Sequence, residues 1–485
     1  MTKPHLEIAS PAPNPTPTFG SRTPSILDGS LRSMAKAWVQ SRIGSIACGI
    51  TDQGMAAGAI FLGNVVLARI QSKEEYGLFV LSYSVYTFLS GLHNAAILEA
   101  YTVYGSGKYS HHFREYLKVM LRSNVIACLS LMVLLGLGLV ALLAIAPHLV
   151  SKAMLGLMLT VGVLLSAAFL RRTFYMLRQP YRAACMSLVF ISAVCGGLWL
   201  TVRMGWLNSF SLFIVFAIGW IIAGLTIGRP LILKEASGNF TNLQPNHWEQ
   251  HWKYARWVLA TSFVFQLMTQ GYYWLVAGAL SVKGVAELRA MYILVNPTDQ
   301  IFIALSFLVL PRLAHHYASK RRDQFLSLWK RFALFTFLVT VSLFFGIRVL
   351  GAPLVYWLYA GKFDNALSLL YVLAGVPIVM GIGNTMNDAL KSMERPHVVF
   401  YAYLASGAMT FAVGLPLVKH LGVQGAVIGM LLSAAAYTSL LAVGFFYAVL
   451  GKPFGMARTQ DVLAFYPTLA VGDEDRARSP QNREE

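Results

Sequence analysis

The chain is poor in charge, and above all in acidic charge. Only 12% of its 485 residues are Asp, Glu, Lys or Arg, and 39 basic residues outnumber 21 acidic ones. A soluble domain usually carries about 25% charged residues. Together with 56% hydrophobic residues, this composition excludes an ordinary soluble domain and indicates a polytopic membrane protein. The basic residues form no single face and no recognition motif, which argues against nucleic-acid binding.

Cysteine is also scarce, and none of the four cysteines lies where a disulfide would form. Cys48, Cys128, Cys185 and Cys195 all fall within apolar stretches. They therefore do not frame a disulfide-linked fold. No spacing typical of a metal site occurs, so we expect no metal and no other cofactor. The first 40 residues hold no short apolar run with a cleavage site, so they do not predict a signal peptide.

What the chain has in abundance is apolar stretches. Twelve of them are about 20 residues or longer, enough to cross roughly 30 Å of hydrocarbon as a helix. We number them spans 1 to 12, at 44–68, 76–103, 119–146, 150–170, 183–202, 207–228, 257–281, 286–311, 332–352, 365–390, 397–418 and 424–450.

The basic residues predict the orientation of these spans. Thirty of the 39 Lys and Arg residues fall in or beside the two tails and every second gap, and nine fall in the remaining gaps. Cytoplasmic segments retain Lys and Arg, so both termini are predicted to be cytoplasmic. A miscounted span would destroy the alternation. We call the end of the bundle with few basic residues the predicted outer end.

A weak internal repeat predicts two halves. Pro180 and Gly205 bracket span 5 as Pro396 and Gly422 bracket span 11, with separations of 25 and 26 residues. Six spans per half make the repeats parallel, and such repeats place a substrate site between the halves and give alternating access. The predicted fold is all-α, with two six-helix bundles related by a parallel pseudo-twofold axis. Its parts are a disordered tail 1–40, bundles 41–230 and 257–452, a linker 231–256 with an amphipathic helix, and a disordered tail 453–485.

Charged residues inside spans mark candidate sites, because burying one in a bilayer costs about 2.5–3.5 kcal/mol on insertion scales. Asp52 in span 1, Asp299 near the middle of span 8 and Asp388 in span 10 are candidates for coupling to H⁺ or Na⁺. The alternative for Asp299 is a hydrogen-bonding acid packed between helices. Arg289 in span 8 suits a pyrophosphate, onto which its guanidinium can fork. The alternative is an interfacial arginine that reaches the headgroups.

Polar faces on spans 2, 7 and 10 complete the predicted substrate cavity. Helical spacing places several amide, aromatic and basic side chains on one face of each span. Such a face either lines a wet cavity or joins helices, and we expect the cavity. Its predicted residues, with Asn296 of span 8, are Tyr86, His93, Asn94, Gln266, Gln270, Asn384, Asn387 and Lys391. A structural role for His93 and a local pair of Asp388 with Lys391 are the alternatives.

A cluster of arginines at the predicted inner face is interpreted as topology-setting charge. It comprises Arg122, Arg171, Arg172, Arg178 and Arg182. The alternative is a funnel for an anionic headgroup.

Several motifs together resemble one known family. They are Ala68–Phe79 (ARIQSKEEYGLF) followed by Gly91-Leu92, Val295-Asn296-Pro297, Leu308–Ala314 (LVLPRLA), Tyr359–Phe363 (YAGKF) and Gly422–Val427 (GVQGAV). The set resembles, over 43–450, the polysaccharide (oligosaccharidyl-lipid) flippases, whose superfamily also contains multidrug extruders and lipid II flippases. The resemblance implies two six-helix bundles around a basic cavity. Lipid II flippases carry an Arg early in span 8, where this chain aligns Tyr292, so that substrate is disfavoured.

The resemblance also implies a function. It implies that sugar repeat units on polyprenyl pyrophosphate, of exopolysaccharide or O-antigen type, are moved from the inner to the outer leaflet of a bacterial inner (plasma) membrane. Membrane lipids are then further partners, and a polysaccharide polymerase and export machinery are candidate partners. The first alternative is a cation-coupled multidrug extruder of the same superfamily, which excess acids in the cavity would favour. A membrane-bound polymerase or ligase is disfavoured, because outer loops shorter than about 15 residues leave no room for a catalytic loop.

Overall fold

A computed structural model of the chain describes residues 42–106, 109, 112–145, 152–229 and 247–450. Within these residues the chain is helical with short turns and contains no strand, which confirms the predicted all-α polytopic fold. The predicted tails and most of the predicted linker lie outside the described residues. All contacts described below lie within residues 48–450.

The helices follow the twelve predicted spans in order. Their bounds are Arg42–Ile70 (span 1), Lys73–His93 continued by Asn94–Glu99 and Ala100–Ser106 (span 2), Phe113–Ile145 (span 3), Lys152–Met176 (span 4), Pro180–Arg203 (span 5), Ser209–Ala223 continued by Gly224–Gly228 (span 6), His247–Ala279 (span 7), Val282–Val295 and Pro297–Ala318 (span 8), Arg322–Tyr359 (span 9), Asp364–Ala366, Leu367–Leu373 and Val376–Ser392 (span 10), and Pro396–Ala412 and Gly414–Leu450 (spans 11 and 12). Gly422 bends the last stretch and separates span 11 from span 12. The amphipathic helix predicted near 246–256 is the first part of the span 7 helix.

Spans 2 and 7 are less apolar than the rest. Nine helices of the described residues are long and apolar enough to cross a membrane by length and composition, and they cover every span except 2, 7 and 11. Span 11 is short as a separate helix, at 17 residues. Spans 2 and 7 are long, so it is their polar side chains that lower the hydropathy. Polar residues within a polytopic bundle normally face its interior.

The backbone at the ends of spans 5 and 11 supports the internal repeat. Both helices begin with a proline, Pro180 and Pro396, in the first turn, where a missing N–H costs nothing. The flanking positive φ values are +55° at Arg178 and +58° at Glu394 before the helices, and +66° at Gly205 and +63° at Gly422 after them. Four matched left-handed positions at corresponding places indicate that the two halves share one local plan.

Each half packs around its last span. In the first half, span 6 lies against spans 4 and 5, and span 1 approaches span 6 where Gly63 meets the Phe216 ring. In the second half, span 12 lies against spans 7, 10 and 11. The two halves meet where span 2 packs against span 7 and against the first helix of span 8. One large apolar core is continuous across this contact.

Four spans depart from regular α-helix. Span 8 is divided at Asn296-Pro297, and span 10 is divided at Ala374-Gly375. Spans 2 and 6 contain π-helical turns at Asn94–Glu99 and Gly224–Gly228. Irregular backbone at membrane depth is tolerated where protein or a cavity satisfies the freed polar groups, and π turns are frequent at functional sites. Two of these irregular spans, 2 and 8, meet at the contact between the halves.

Candidate functional site

The candidate site is the seam between the halves, formed by spans 2, 7 and 8. Gly91 lets span 7 approach closely, because a Cβ at this position would collide with the side chain of Gln266. The Ser262 hydroxyl donates to the Gly91 carbonyl at 3.0 Å, and the Trp274 indole donates to Ser84 at 2.8 Å. Gln266 is therefore buried between helices. Its amide oxygen has no hydrogen-bond partner in this state.

Arg289 lies in the part of the seam near the predicted outer end, inside a cage of tyrosines. Its side chain is 9% exposed, and one guanidinium nitrogen donates to the Tyr273 hydroxyl at 3.4 Å. The guanidinium carbon lies 5.5 Å from the Tyr83 ring centre and 6.0 Å from that of Tyr273. None of the ion pairs formed among the described residues includes Arg289, and its Nε has no acceptor. A buried guanidinium without a carboxylate retains the capacity to bind an anion.

Tyr86 extends the aromatic surface below this cage. Its ring lies 5.5 Å from that of Tyr83, and the residue is half-buried. Gln270 is half-buried on the same helix as Tyr273, and its amide lies 3.4 Å from the Thr269 hydroxyl. Tyr86 is thus linked to the Arg289 cage through its ring contact with Tyr83, and Gln270 lies one helical turn from Tyr273.

Asp299 lies in the first turn of the second helix of span 8, directly after the break. Its side chain is exposed although it stands in the middle of a spanning helix, so it borders an open space inside the bundle. With Tyr292, Thr269 and Ser433 it lines a cavity of about 80 Å³ between spans 7, 8, 10, 11 and 12. Asn296 is half-buried at the break itself. Hydroxyl oxygens beside one carboxylate suit a cation or a proton.

Asp52 is fully buried and fully paired in this state. The Arg171 guanidinium forks onto both carboxylate oxygens, at 3.1 and 2.7 Å. The hydroxyls of Tyr175 and Ser187 donate to the same carboxylate at 2.5 Å each. Side chains of spans 4 and 5 thus bind one carboxylate of span 1. A coupling ion at Asp52 would have to displace Arg171, so this geometry favours a structural role over the predicted coupling role.

Two other polar residues of span 2, His93 and Asn94, contact spans 3 and 4 of the same half. His93 contacts the Asn124 amide oxygen at 2.8 Å, and Arg172 donates to Asn94 at 3.0 Å at the start of the π turn. His93 is 4% exposed, so it lies inside the bundle and away from the seam. Arg171 and Arg172, interpreted from the sequence as topology-setting charge, are therefore pairing partners of spans 1 and 2.

Span 10 divides its predicted residues between the core and the surface. Asn387 is buried and donates to the hydroxyls of Tyr437 at 2.8 Å and Tyr403 at 3.1 Å. Asp388 is also buried, Asn384 is half-buried, and Lys391 is exposed. No ion pair joins Asp388 to Lys391 in the described part of the chain. Asn387 therefore holds spans 10, 11 and 12 together, and only Asn384 and Lys391 remain accessible to a substrate.

The predicted outer end is closed by contacts between the halves. Lys362 donates to three carbonyls at the end of the span 1 helix, those of Ala68, Arg69 and Gln71, at 3.1, 2.8 and 2.6 Å. The Arg69 guanidinium donates in return to the Trp357 carbonyl at 2.8 Å. Burial, and then the nearby Lys73 ammonium, lower the pKa of Lys362. We call these contacts the outer closure.

Two ion pairs and one close approach complete the outer closure. Lys73 pairs with Glu287 at 2.7 Å, and Lys283 pairs with Glu74 at 2.8 Å. Gly77 of span 2 lies directly on the backbone of Val282, where a Cβ would not fit. At the other end, the second helix of span 8 packs mainly on spans 9 and 10 of its own half and is largely unburied. The seam is therefore closed at the predicted outer end through spans 1, 2, 8 and 9. Toward the predicted inner end span 8 turns away, and the halves remain in contact through span 7, where His251 contacts the Ala96 carbonyl at 2.7 Å.

Comparisons with known proteins give a fold and no closer relationship. No family model and no curated protein matches the chain. Solved structures match over almost their whole length. An inward-facing multidrug resistance MATE family transporter of the MOP superfamily has a TM-score of 0.69 at 11% identity, covering 87% of this chain and 99% of its own. An outward-facing transporter of that description has a TM-score of 0.60 at 10% identity, covering 88% and 97%.

A third solved structure is a MOP superfamily transporter from Pyrococcus furiosus. It is described by the reverse polarity of its binding pocket, which suggests a different function for that protein. Its TM-score is 0.59 at 11% identity, covering 86% of this chain and 96% of its own. These TM-scores establish that the chain has the fold of MATE transporters.

Proposed function

We propose that the chain is an alternating-access exporter of an amphipathic anion, and that its substrate class is an oligosaccharide linked to a polyprenyl pyrophosphate. The single observation that carries this proposal is Arg289, a buried cation without a carboxylate in an aromatic cage at the seam. A pyrophosphate supplies the bidentate oxygens that a guanidinium prefers. The tyrosine rings beside it offer stacking surfaces for sugars, and the asymmetric closure of the seam supports alternating access.

The membrane potential would assist this transport. A pyrophosphate carries about two to three negative charges, and an inside-negative potential moves each outward with about 2.3 kcal/mol per 100 mV. The direction assumes that the closed end is the outer end, which rests on the distribution of basic residues. A C-terminal fluorescent or phosphatase fusion tests it. Fluorescence without phosphatase activity is expected, and the reverse result would invert the proposed direction.

The test of the anion proposal is a flipping assay in reconstituted vesicles. A fluorescent oligosaccharide on a polyprenyl pyrophosphate is incorporated, and its exposure to an external quencher is followed with time. We expect Arg289→Gln to slow flipping at least tenfold, since one charge-assisted pair is worth about 1.5–3 kcal/mol. Arg348→Gln is the matched control, because Arg348 also stacks on a ring, that of Tyr371 at 4.4 Å, but lies exposed in span 9. Equal rates in both variants would refute the role of Arg289.

A second candidate is a cation-coupled extruder of amphipathic cations. Two observations favour it: the fold is that of multidrug MATE transporters, and Asp299 borders an open cavity with aromatic and hydroxyl neighbours. Efflux of a cationic dye from cells that express the chain tests it. Dye efflux that is lost in Asp299→Asn, together with no flipping of the lipid-linked sugar, would replace the first proposal by the second. Coupling to H⁺ or Na⁺ through Asp299 is compatible with either candidate function.

A further inference from the structure

A second cavity lies on the outside of the first half, away from the seam. It is a groove of about 590 Å³ between spans 3, 4 and 6, lined almost wholly by apolar side chains. Leu129 and Leu225 on its rims are 56% and 61% exposed, so it opens on the surface that faces hydrocarbon. A groove on a lipid-facing surface is filled by the bilayer. The question is which lipid fits it.

The groove is as deep as one leaflet. On span 4 its lining runs from Leu159 to Leu170, a rise of about 16 Å at 1.5 Å per residue. One leaflet provides about 15 Å of hydrocarbon, half of the roughly 30 Å core. An acyl chain of a phospholipid therefore fits from end to end. A polyprenyl chain is far longer than a leaflet is deep and would leave most of its length outside.

One end of the groove carries a positive charge. Arg229 lines it at the end of span 6, beside the π turn Gly224–Gly228, and its side chain is exposed. Among the described residues no ion pair occupies Arg229. An arginine at the headgroup level attracts an anionic lipid by about 1 kcal/mol. The groove therefore offers an apolar surface for a lipid tail and, at one end, a positive charge for the lipid phosphate.

We infer that this groove binds one anionic phospholipid of the leaflet adjoining Arg229, with an acyl chain between spans 3, 4 and 6 and its headgroup phosphate on Arg229. The site is independent of the substrate proposed for the seam. It is connected with the first half, because Trp220 lines the groove and Arg171, the partner of Asp52, lies 5.6 Å from the Trp220 ring centre. A bound chain packs against this ring and stabilises the Arg171–Asp52 pair.

Two variants test the contribution of the lipid headgroup and that of the acyl chain separately. Arg229→Gln removes the charge and leaves the groove open. Gly224→Leu fills the groove, since a Cβ there meets only Leu170, at 3.8 Å. The matched controls are Arg203→Gln, an exposed arginine at the other end of the bundle, and Gly138→Leu, where a Cβ meets nothing within 4 Å.

The measurement is native mass spectrometry of the full chain titrated with phosphatidylglycerol or phosphatidylcholine. We expect one retained phosphatidylglycerol in the wild type and both controls, about fivefold weaker binding in Arg229→Gln and no retained lipid in Gly224→Leu. Equal retention in Arg229→Gln and Arg203→Gln would show annular lipid only and overturn the site. A polyprenyl phosphate that displaces phosphatidylglycerol in an Arg229-dependent way would overturn the choice of phospholipid.

A crosslinking experiment tests the same site in the wild-type protein, without any substitution. A phosphatidylglycerol with a photoreactive group at the end of one chain is bound to the wild type and irradiated. The expected adducts lie near Met132 and Leu159, at the deep end of the groove. Adducts spread evenly over the lipid-facing helices would overturn the inference.

Discussion

Lys362 provides the sharpest test of alternating access, because one side chain joins the two halves at the predicted outer end. Its ammonium donates to three carbonyls at the end of the span 1 helix. Lys362→Met keeps the aliphatic stem and removes all three hydrogen bonds. Hydrogen bonds to a charged group contribute about 1.5–3 kcal/mol each when buried. Here the side chain is partly exposed and lies near Lys73, so water can replace part of the loss.

We therefore expect a net effect of one charge-assisted bond, about 2 kcal/mol, on the closed state. This corresponds to about a 30-fold shift of the equilibrium toward an open outer end. The assay is a spin-label distance measurement between Met204 and Tyr356, which are exposed at that end in different halves. The four native cysteines are replaced first. A longer-distance population should grow in Lys362→Met.

The control for this experiment is Lys419→Met. Lys419 is an exposed lysine at the same predicted end and forms none of the contacts of the outer closure. Its distance distribution should remain that of the wild type. If Lys362→Met also keeps the wild-type distribution, the outer closure does not depend on Lys362 and the reasoning above is refuted.

Three further variants test the seam and its supports by thermal or chemical unfolding and by transport. Asp52→Asn leaves the Arg171 guanidinium, whose side chain is 16% exposed, without a carboxylate, which should cost about 3 kcal/mol, and Arg171→Gln in the same chain should recover most of it; no recovery would refute the pairing role. Gly91→Val displaces the Gln266 side chain from between spans 2 and 7 and should cost about 1–3 kcal/mol, whereas Gly138→Val, in open space, should cost little. A straight span 8 would hold Pro297 in its interior at a cost of about 3 kcal/mol, so Pro297→Ala should favour the straight helix and slow transport without loss of stability; unchanged transport would refute a role for the break in span 8.

Hydropathy and charge predict the number and order of the helices because most spans are strongly apolar, and the alternation of basic residues supports the less apolar spans 2 and 7. The bounds differ where helices continue beyond the hydrocarbon. Span 9, predicted at 332–352, is a helix over Arg322–Tyr359, since polar interfacial residues extend a helix without lowering its stability. The break at Pro297 follows from proline chemistry. The π turns at Asn94–Glu99 and Gly224–Gly228 carry no residue signature, so the sequence does not predict them.

The candidate site is predictable as a set of polar residues but not as a set of contacts. Helical spacing places Asn384 and Asn387 near one face of span 10, yet one is half-buried and the other is enclosed by Tyr403 and Tyr437. Which face meets a neighbour depends on the rotation of the helix, and that is set by tertiary packing. The pair of Asp52 with Arg171 joins residues 119 positions apart. A count of basic residues along the chain assigns the arginine to topology and cannot reveal its partner.

Once Asp52 and Arg171 neutralise each other, Arg289 and Asp299 are the charges left on one broken helix near the seam. They are ten residues apart, or about 15 Å along a helix. At an effective dielectric constant of about 20 they interact by about 1 kcal/mol, and a bound anion is repelled by Asp299 to the same extent. A proton or cation on Asp299 should therefore raise anion affinity at Arg289 about fivefold. The affinity of a pyrophosphate lipid should accordingly increase on acidification in the wild type, and in Asp299→Asn it should be high at every pH. An equal pH dependence in both proteins would show that the two charges act separately.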